Sequence, residues 1–591
     1  MTNTPPELDD LVALRTRTTP PATDDAQATG PHLERRFVLG TRTRAFLILL
    51  ALYALPGLVG HAPWKQDEAY IMDIVHNMLA TGDAIVPRVA GETFMEKPPL
   101  FYWVAGALAT ATAPVLAQHD GARLAVGFFI LLTCAAMAQC GRRWVDAQFG
   151  RTTVFVLLAC PGLAAYAHLM LTDLALLAGI AVGMAGLPYW RTRPVASGLQ
   201  VGTGIGIGFL GKGLLAPGVF GLAALLLPLC FAGWRARAYA RTLLVALLAA
   251  LPWLTLWPVM LWLRSPALFH DWFWLNNIGR FVGFSVPLLG APHDHWFWSR
   301  NLPWIALPAG PLALAALWRA RGALRNDECL QSAAVLAAAV LGVLVASASA
   351  RGGYALPLLP PLALLGAHTA LTLAPRVEAA WCWCARLLFG GIALLIWLAW
   401  AYIVATPDPL GVHALAIQLA PHPDRHLDAV RLACAAAATA GAAWFMFLVR
   451  PRQAALQTWV AGVTLCWFLL ATLFMPWVDE VKSFRQVFLS LQGALGPGTP
   501  CLASYGLEES ERAMLHYYDG IVTERLDVQP SSRCTLILLE SATHQLPHCS
   551  DEATWQPVWD GARAAERHEH FWLFRRAPGA ATCTGSEQPH K

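Results

Sequence analysis

Two adjacent carboxylates, Asp67 and Glu68, sit in the stretch His61-Ala-Pro-Trp-Lys-Gln-Asp-Glu-Ala-Tyr70, just after the first long apolar segment. Farther along the same loop comes Phe94-Met-Glu-Lys-Pro-Pro-Leu100, which adds Glu96 and Lys97. Pro98-Pro99 fixes the backbone after Lys97 and bars a helix from running through it. Carboxylates can orient or deprotonate an acceptor. A lysine held at a membrane surface can neutralise a phosphate that leaves with developing charge. Together they suit group transfer from a phosphate-bearing donor.

The elements that position this loop are apolar. The chain of 591 residues is 56% hydrophobic and 14% charged, against roughly 25% charged for soluble domains. The apolar runs approach the ~20 residues of a bilayer-spanning helix. They are continuous rather than alternating, which excludes a β-barrel. A net charge of +4, scattered along the chain, gives no footing for nucleic acid. The expected class is an all-α polytopic membrane protein.

Residues 1–36 are rich in Pro, Thr and Asp without periodicity and read as a disordered cytoplasmic tail. They do not read as a signal peptide, because the apolar stretch begins only at Ala45 and no small-residue cleavage site follows it. Arg35, Arg36, Arg42 and Arg44 place the N-terminus inside. If the segment near Leu100–Ala117 lies along the outer face instead of crossing, every later arginine-bearing loop falls inside. Arg142/Arg143, Arg191/Arg193, Arg235/Arg237, Arg319/Arg321, Arg376/Arg386 and Arg450/Arg452 then agree. This gives about thirteen transmembrane helices with the C-terminus outside. Asp67, Glu68, Glu96, Lys97, Asp173, Lys212, the loop 271–300 and Arg351–Tyr354 then share the outer face.

Composition changes near Asp479. Segments at Cys501–Tyr505, Arg533–Glu540 and His570–Arg575 read as strands, with a helix over Glu508–Tyr518. The expected partition is 37–478 as the transmembrane domain, with its outer catalytic loop at 61–99, and 479–591 as a small periplasmic α/β domain. Cys501, Cys534, Cys549 and Cys583 permit one or two disulfides, their pairing open. Cys382 and Cys384 read as packing residues. No phosphate-cradling G-x-x-x-x-G-K-[ST] occurs. Gly202-Thr-Gly-Ile-Gly206 reads as close helix packing instead. His293-Asp294-His295 has the form of a metal-ligand pair but lacks an identifiable third ligand.

Trp64-Lys-Gln-Asp-Glu-Ala-Tyr70, Asn77-Met-Leu-Ala-Thr-Gly-Asp83-Ala-Ile-Val-Pro87 and Glu96-Lys-Pro-Pro-Leu-Phe-Tyr-Trp103 resemble the first outer loop of bacterial polyprenyl-phosphate-sugar glycosyltransferases. These form part of the glycosyltransferase C superfamily and are related to protein O-mannosyltransferases. Within it, the lipid A 4-amino-4-deoxy-L-arabinose transferases are most similar. Gly121-Ala-Arg-Leu124, Met170-Leu-Thr-Asp173 and Gly353-Tyr-Ala-Leu-Pro-Leu-Leu-Pro-Pro361 fit the same pattern, so the resemblance runs over 45–475.

The resemblance implies a glycosyltransferase C fold with a sugar carried on undecaprenyl phosphate. It implies Asp67 as the essential loop acid, Glu68 beside it, and Asp173 as the second acid. Lys97, Arg280 and Tyr354 would bind the donor phosphate. The chain departs from the arabinose transferases in two places. It lacks the arginine of their Asp-Glu-x-Arg-Tyr, and it has Asn276-Asn277 where they have Glu-His, whose histidine is a metal ligand in that family. No cofactor is identified. A divalent metal is left open, with Asp67 and Glu96 as candidate ligands.

The expected function is transfer of the sugar, with inversion as in that superfamily, to lipid A or another envelope glycolipid at the periplasmic face of the bacterial inner membrane. A protein hydroxyl is the alternative acceptor. A flippase of lipid-linked sugar is the alternative of another class; it calls for acids within the spans, and the central spans are nearly free of them.

Overall fold

A computed structural model describes residues 41–405, 428–447, 454–496, 498, 501–529, 532–541, 555–563, 566 and 569–576. The N-terminal tail 1–36, Arg450, Arg452, Cys549 and Cys583 lie outside the described residues. The chain divides into two units, Met1–Leu47 and Ile48–Lys591. The first unit contributes the start of the first described helix, Thr41–Ala54.

The second unit is mostly helical. Seven described helices are long and apolar enough to cross a membrane, or eight if the bent pair Phe297–Ile305 and Ala309–Arg319 is one span. Shorter apolar helices cover Leu100–Thr112, Asp173–Tyr189 and Leu215–Cys230. The second apolar segment is therefore a helix of 13 residues, short of the ~20 a span requires. Glycines draw the helices together. A Cβ at Gly202 would meet Ala249 Cβ at 2.7 Å, and one at Gly121 would lie 2.9 Å from the Ala109 backbone. Leu100–Thr112 thus packs almost backbone to backbone on Gln118–Trp144.

The loop region 61–99 has its own architecture. Asp67 and Glu68 stand in the first turn of the helix Gln66–Thr81, where carboxylates complement the partial positive charge of a helix N-terminus. Gly82 ends that helix in the left-handed conformation (φ 73°), its N–H returning to the Met78 carbonyl. A hairpin follows, β1 (Arg88–Val89) against β2 (Glu92–Thr93), with the two-residue turn Ala90-Gly91. Both turn residues have positive φ, 48° and 79°, as a tight hairpin turn of this twist demands. The left-handed conformation is costly for alanine. Asp73 holds it in place by accepting from Ala90 N–H at 2.5 Å.

Toward the C-terminus, β3 (Leu502–Tyr505), β4 (Glu524–Arg525), β5 (Leu536–Ser541), β6 (Trp555–Gly561) and β7 (His570–Arg576) form one sheet in the order β4-β3-β5-β7-β6. β3 runs parallel to β4 and β5, and β7 antiparallel to β5 and β6. Ala503, Ile537, Leu539, Trp555 and Phe574 form a core on the sheet. A disulfide joins Cys501 to Cys534. The sheet is continuous with the helical unit rather than separated from it. Its helix Glu509–Asp519 lies on the 61–99 region: His516 Nδ1 is 2.6 Å from Asp73, and Arg512 donates to Glu92 at 2.9 Å.

Candidate active site

Asp67 is the hub. Its carboxylate accepts a hydrogen bond from the Tyr70 hydroxyl, one helical turn on. Lys97 Nζ lies 3.9 Å from it and Arg351 Nη1 4.0 Å. Its side chain keeps 37% of its exposure, so it is reachable as well as positioned. Lys97 is nearly buried and donates to the Tyr70 oxygen at 2.7 Å. Burial, and then the neighbouring Asp67 and Glu96, push the Tyr70 pKa well above its ordinary value. The phenol therefore stays protonated and links lysine to carboxylate.

Lys97 is aimed by the proline corner. Pro99 is the N-cap of Leu100–Thr112 and accepts from Trp103 N–H at 2.9 Å. Glu96, the residue before Lys97, is bound by Arg280, which also donates to the Leu289 carbonyl at 3.1 Å. Burial alone would raise the Glu96 pKa; Lys97 and Arg280 outweigh it and hold the carboxyl below its usual range. Arg280 is delivered by a π-helical segment, Asp271–Gly279, a rare conformation found often at functional sites.

A second group forms around Asp173, which is buried and paired with Lys212. The Lys212 ammonium lies over the Tyr354 ring, 3.7 Å from its centroid. Tyr354 follows Arg351 in the turn Gly352–Leu358, its N–H bonded to the Arg351 carbonyl at 3.0 Å. Lys97, Lys212, Arg280 and Arg351 thus stand against Asp67, Glu96 and Asp173. The excess positive charge, with Arg351 about half exposed, suits an anionic ligand such as a phosphate.

Asp67, Lys97, Arg280, Asp173 and Tyr354 thus fall in two cation–carboxylate groups joined through Asp67, Lys97 and Arg351. Glu68 does not join them. It is 2% exposed and accepts from Arg123 Nε at 2.7 Å, while Arg123 also binds Asp120 at 3.0 Å and the Leu58 carbonyl at 3.3 Å. Glu68, expected beside Asp67 as an acid of the site, stands instead in a buried ion pair with Arg123. Tyr70 was not singled out from the sequence, although its i+3 spacing from Asp67 is the signal that places it there.

The residues present do not fit a metal at Asp67 and Glu96. Both carboxylates face cationic donors, and among the described residues no third ligand gathers with them. The ligand group that does gather among the described residues is Cys501, Glu524 and Cys534, and its two sulfurs are spent in a disulfide. Asn277 serves the backbone instead of a metal. Its Oδ1 accepts from Leu214 N–H at 3.3 Å beside Gly213, where the Lys212 helix ends. In the His293-Asp294-His295 loop, Asp294 pairs with Arg300 at the surface.

No family model matches the chain. It is 28% identical over 349 residues to undecaprenyl phosphate-alpha-4-amino-4-deoxy-L-arabinose arabinosyl transferase 2 of Sodalis glossinidius, covering 56% of this chain and 60% of that one. It is 30% identical over 381 residues to arabinosyl transferase 1 of the same organism, covering 59% and 65%. The enzyme of that name from Pseudomonas paraeruginosa is 30% identical over 375 residues, covering 60% and 64%. The aligned region thus spans 60–65% of these curated relatives. The crystal structure of ArnT from Cupriavidus metallidurans bound to undecaprenyl phosphate superposes with a TM-score of 0.66 at 19% identity, over 92% of this chain and 99% of that one. The fold of this multi-pass membrane protein is that of ArnT, and the resemblance to the undecaprenyl phosphate-4-amino-4-deoxy-L-arabinose arabinosyl transferases is borne out.

Proposed function

We propose that this chain is a membrane glycosyltransferase that moves a sugar from an undecaprenyl-phosphate donor to lipid A or another envelope glycolipid. The observation that carries the reading is the Lys97–Tyr70–Asp67 chain, flanked by Arg280 and Arg351. It sets cationic donors for a leaving phosphate beside a reachable carboxylate for an acceptor. The named activity and ligand of the similar proteins support it. An amino sugar such as 4-amino-4-deoxy-L-arabinose is the donor sugar those names suggest.

In the reaction, the bond between the anomeric carbon and the donor phosphate oxygen breaks as an acceptor oxygen bonds to the opposite face of that carbon. Lys97 and Arg351, with Arg280 and Tyr354 behind them, stabilise the charge gathering on the phosphate. Asp67 takes the proton of a hydroxyl acceptor. With a lipid A phosphate as acceptor there is no proton to move, and Asp67 orients it. Asp173 holds Lys212 against Tyr354 and so supports the phosphate side.

We infer about thirteen crossings of the inner membrane, with the N-terminus cytoplasmic, the loop 61–99 and the C-terminal sheet periplasmic, and Leu100–Thr112 resting at the outer interface. The partition into 1–36, 37–478 and 479–591 belongs to the same reading.

Mass spectrometry of lipid A from cells with and without the gene tests the function. A sugar-sized mass increment that requires the gene is expected. Labelled sugar appearing only in protein would replace lipid by protein as acceptor. No transfer to either from a polyprenyl-phosphate donor in vitro would overturn the reading.

A further inference from the structure

Tyr166 is the last residue of the short helix Pro161–Tyr166. That helix packs on the turn Gly352–Leu358, which follows Arg351 and contains Tyr354. Two glycines of the turn make room for the Tyr166 ring. A Cβ on Gly353 would lie 3.7 Å from the ring and 3.9 Å from Asp173 Oδ1. One side-chain position therefore touches both Tyr166 and Asp173. A Cβ on Gly352 would overlap the Tyr166 oxygen. The Gly352 backbone is outside the left-handed region, so glycine supplies space here and not conformational freedom.

The mount of Tyr166 is rigid. Gly162, on the same helix, lies against the Ile305 backbone, where a Cβ would stand 2.7 Å from the carbonyl oxygen. His168, two residues beyond Tyr166, donates from Nε2 to the Tyr53 carbonyl at 2.7 Å and stacks on Trp467 with centroids 4.1 Å apart.

The hydroxyl at the end of this fixed arm is unused. Among the described residues it has no hydrogen-bond partner, and it is not sealed from solvent, the residue being partly exposed. The charged groups that act on it are the carboxylates of Asp173 and Asp67, with no cation among them. Lys97, Arg280 and Arg351 are tied to Asp67 and Glu96 instead. A phenol is neutral at physiological pH and both donates and accepts. Beside two carboxylates it suits a neutral, hydroxyl-bearing group; an anion there would meet like charge.

We propose that Tyr166 is a substrate-contact residue whose hydroxyl bonds to a hydroxyl of the donor's sugar, in the space shared with Asp67 and Asp173. The inference rests on the glycosyl-transfer reading and deepens it by separating the grip on the sugar from the grip on the phosphate. A site that hydrogen-bonds a substrate hydroxyl also discriminates against donors that lack it, which makes Tyr166 a specificity residue.

The test is calorimetric binding of two probes to the full-length protein in lipid nanodiscs, with transfer to lipid A measured in parallel. The probes are undecaprenyl phosphate and the same lipid carrying 4-amino-4-deoxy-L-arabinose. Tyr166→Phe should weaken the sugar-bearing lipid about three- to tenfold, the loss typical of one neutral hydrogen bond. It should leave undecaprenyl phosphate binding and the melting temperature unchanged. Gly352→Ala, which pushes the hydroxyl aside, should reproduce the loss in wild type and add little in Tyr166→Phe, where the oxygen it strikes is gone. Unchanged binding of the sugar-bearing lipid by Tyr166→Phe, an equal loss for undecaprenyl phosphate, or a Gly352→Ala cost that is the same in both backgrounds would each overturn the proposal. A wild type that transfers nothing, yet shows the Tyr166-dependent preference for the sugar-bearing lipid, would overturn the transfer reading alone and support the contact.

Discussion

Lys97 and Asp67 are coupled through one phenol. The Lys97 ammonium donates to the Tyr70 oxygen at 2.7 Å, and the Tyr70 hydroxyl donates to Asp67. Their direct separation of 3.9 Å leaves room for a substrate atom to compete for both. Tyr70→Phe removes the link and keeps the ring. Turnover should fall about ten- to a hundredfold, since hydrogen bonds to charged groups are worth ~1.5–3 kcal/mol, with little change in melting temperature. A Tyr70→Phe enzyme with wild-type turnover would show that the link does not matter.

Asp67→Asn should abolish transfer and leave expression and membrane insertion intact, because a partly exposed polar change alters stability by only about 0.5 kcal/mol. Lys97→Ala should weaken use of the donor, and Lys97→Arg should restore only part of it, the planar fork being a poor replacement for a point charge behind a proline corner. The check is transfer in vitro at varied donor concentration. Unchanged donor dependence in Lys97→Ala removes Lys97 from the phosphate site.

Arg123→Met should act on folding instead of chemistry. It strands Glu68 and Asp120, buried carboxylates that Arg123 neutralises. Breaking a buried ion pair from one side costs about 3–5 kcal/mol. Thermal melting in detergent should drop sharply or the protein should fail to accumulate. An unchanged melt, with activity alone lost, would return Glu68 to the catalytic group.

His516 makes the seat of the C-terminal helix pH-dependent. Its hydrogen bond with Asp73 raises its pKa above the ordinary 6.5, burial opposing. The folded state therefore gains stability that is fully present below about pH 6.5 and lost as pH climbs through the raised value. The melting temperature of wild type should exceed that of His516→Gln most in mildly acid buffer, and the gap should close in alkali. A gap that stays constant with pH would mean that the imidazole contributes no charge to the contact.

What could be read from the sequence follows the range of each interaction. Pro98-Pro99 restricts its own backbone, so the placement of Lys97 was legible from neighbouring residues. Asp67 and Glu68 looked like a pair because they are adjacent. On a helix, adjacent residues diverge by about 100°, which sends Asp67 to the cations and Glu68 to Arg123. That partner is 55 residues away, and nothing local announces it. In the tail, the apolar runs of β3, β5 and β7 were readable. β4, two residues long, and β6, interrupted by Pro557, were not, since they owe their conformation to the strands beside them. Lys212 carried no sequence mark beyond its charge. Its role depends on a helix end set by Gly213 and Asn277.

The contact at Gly121 has a mechanical meaning. Where side chains separate two helices, rotamers can absorb a disturbance; where backbone meets backbone, as Gly121 meets Ala109, there is nothing soft to yield. Lys97 directly precedes the Pro98-Pro99 pair that leads into the helix containing Ala109, so it is mounted on a stiff strut braced by the next helix. The lysine is a fixed post to which a mobile lipid brings its phosphate. Gly121→Ala would tilt the strut, and it should change the separation of Lys97 from Asp67 without touching either residue.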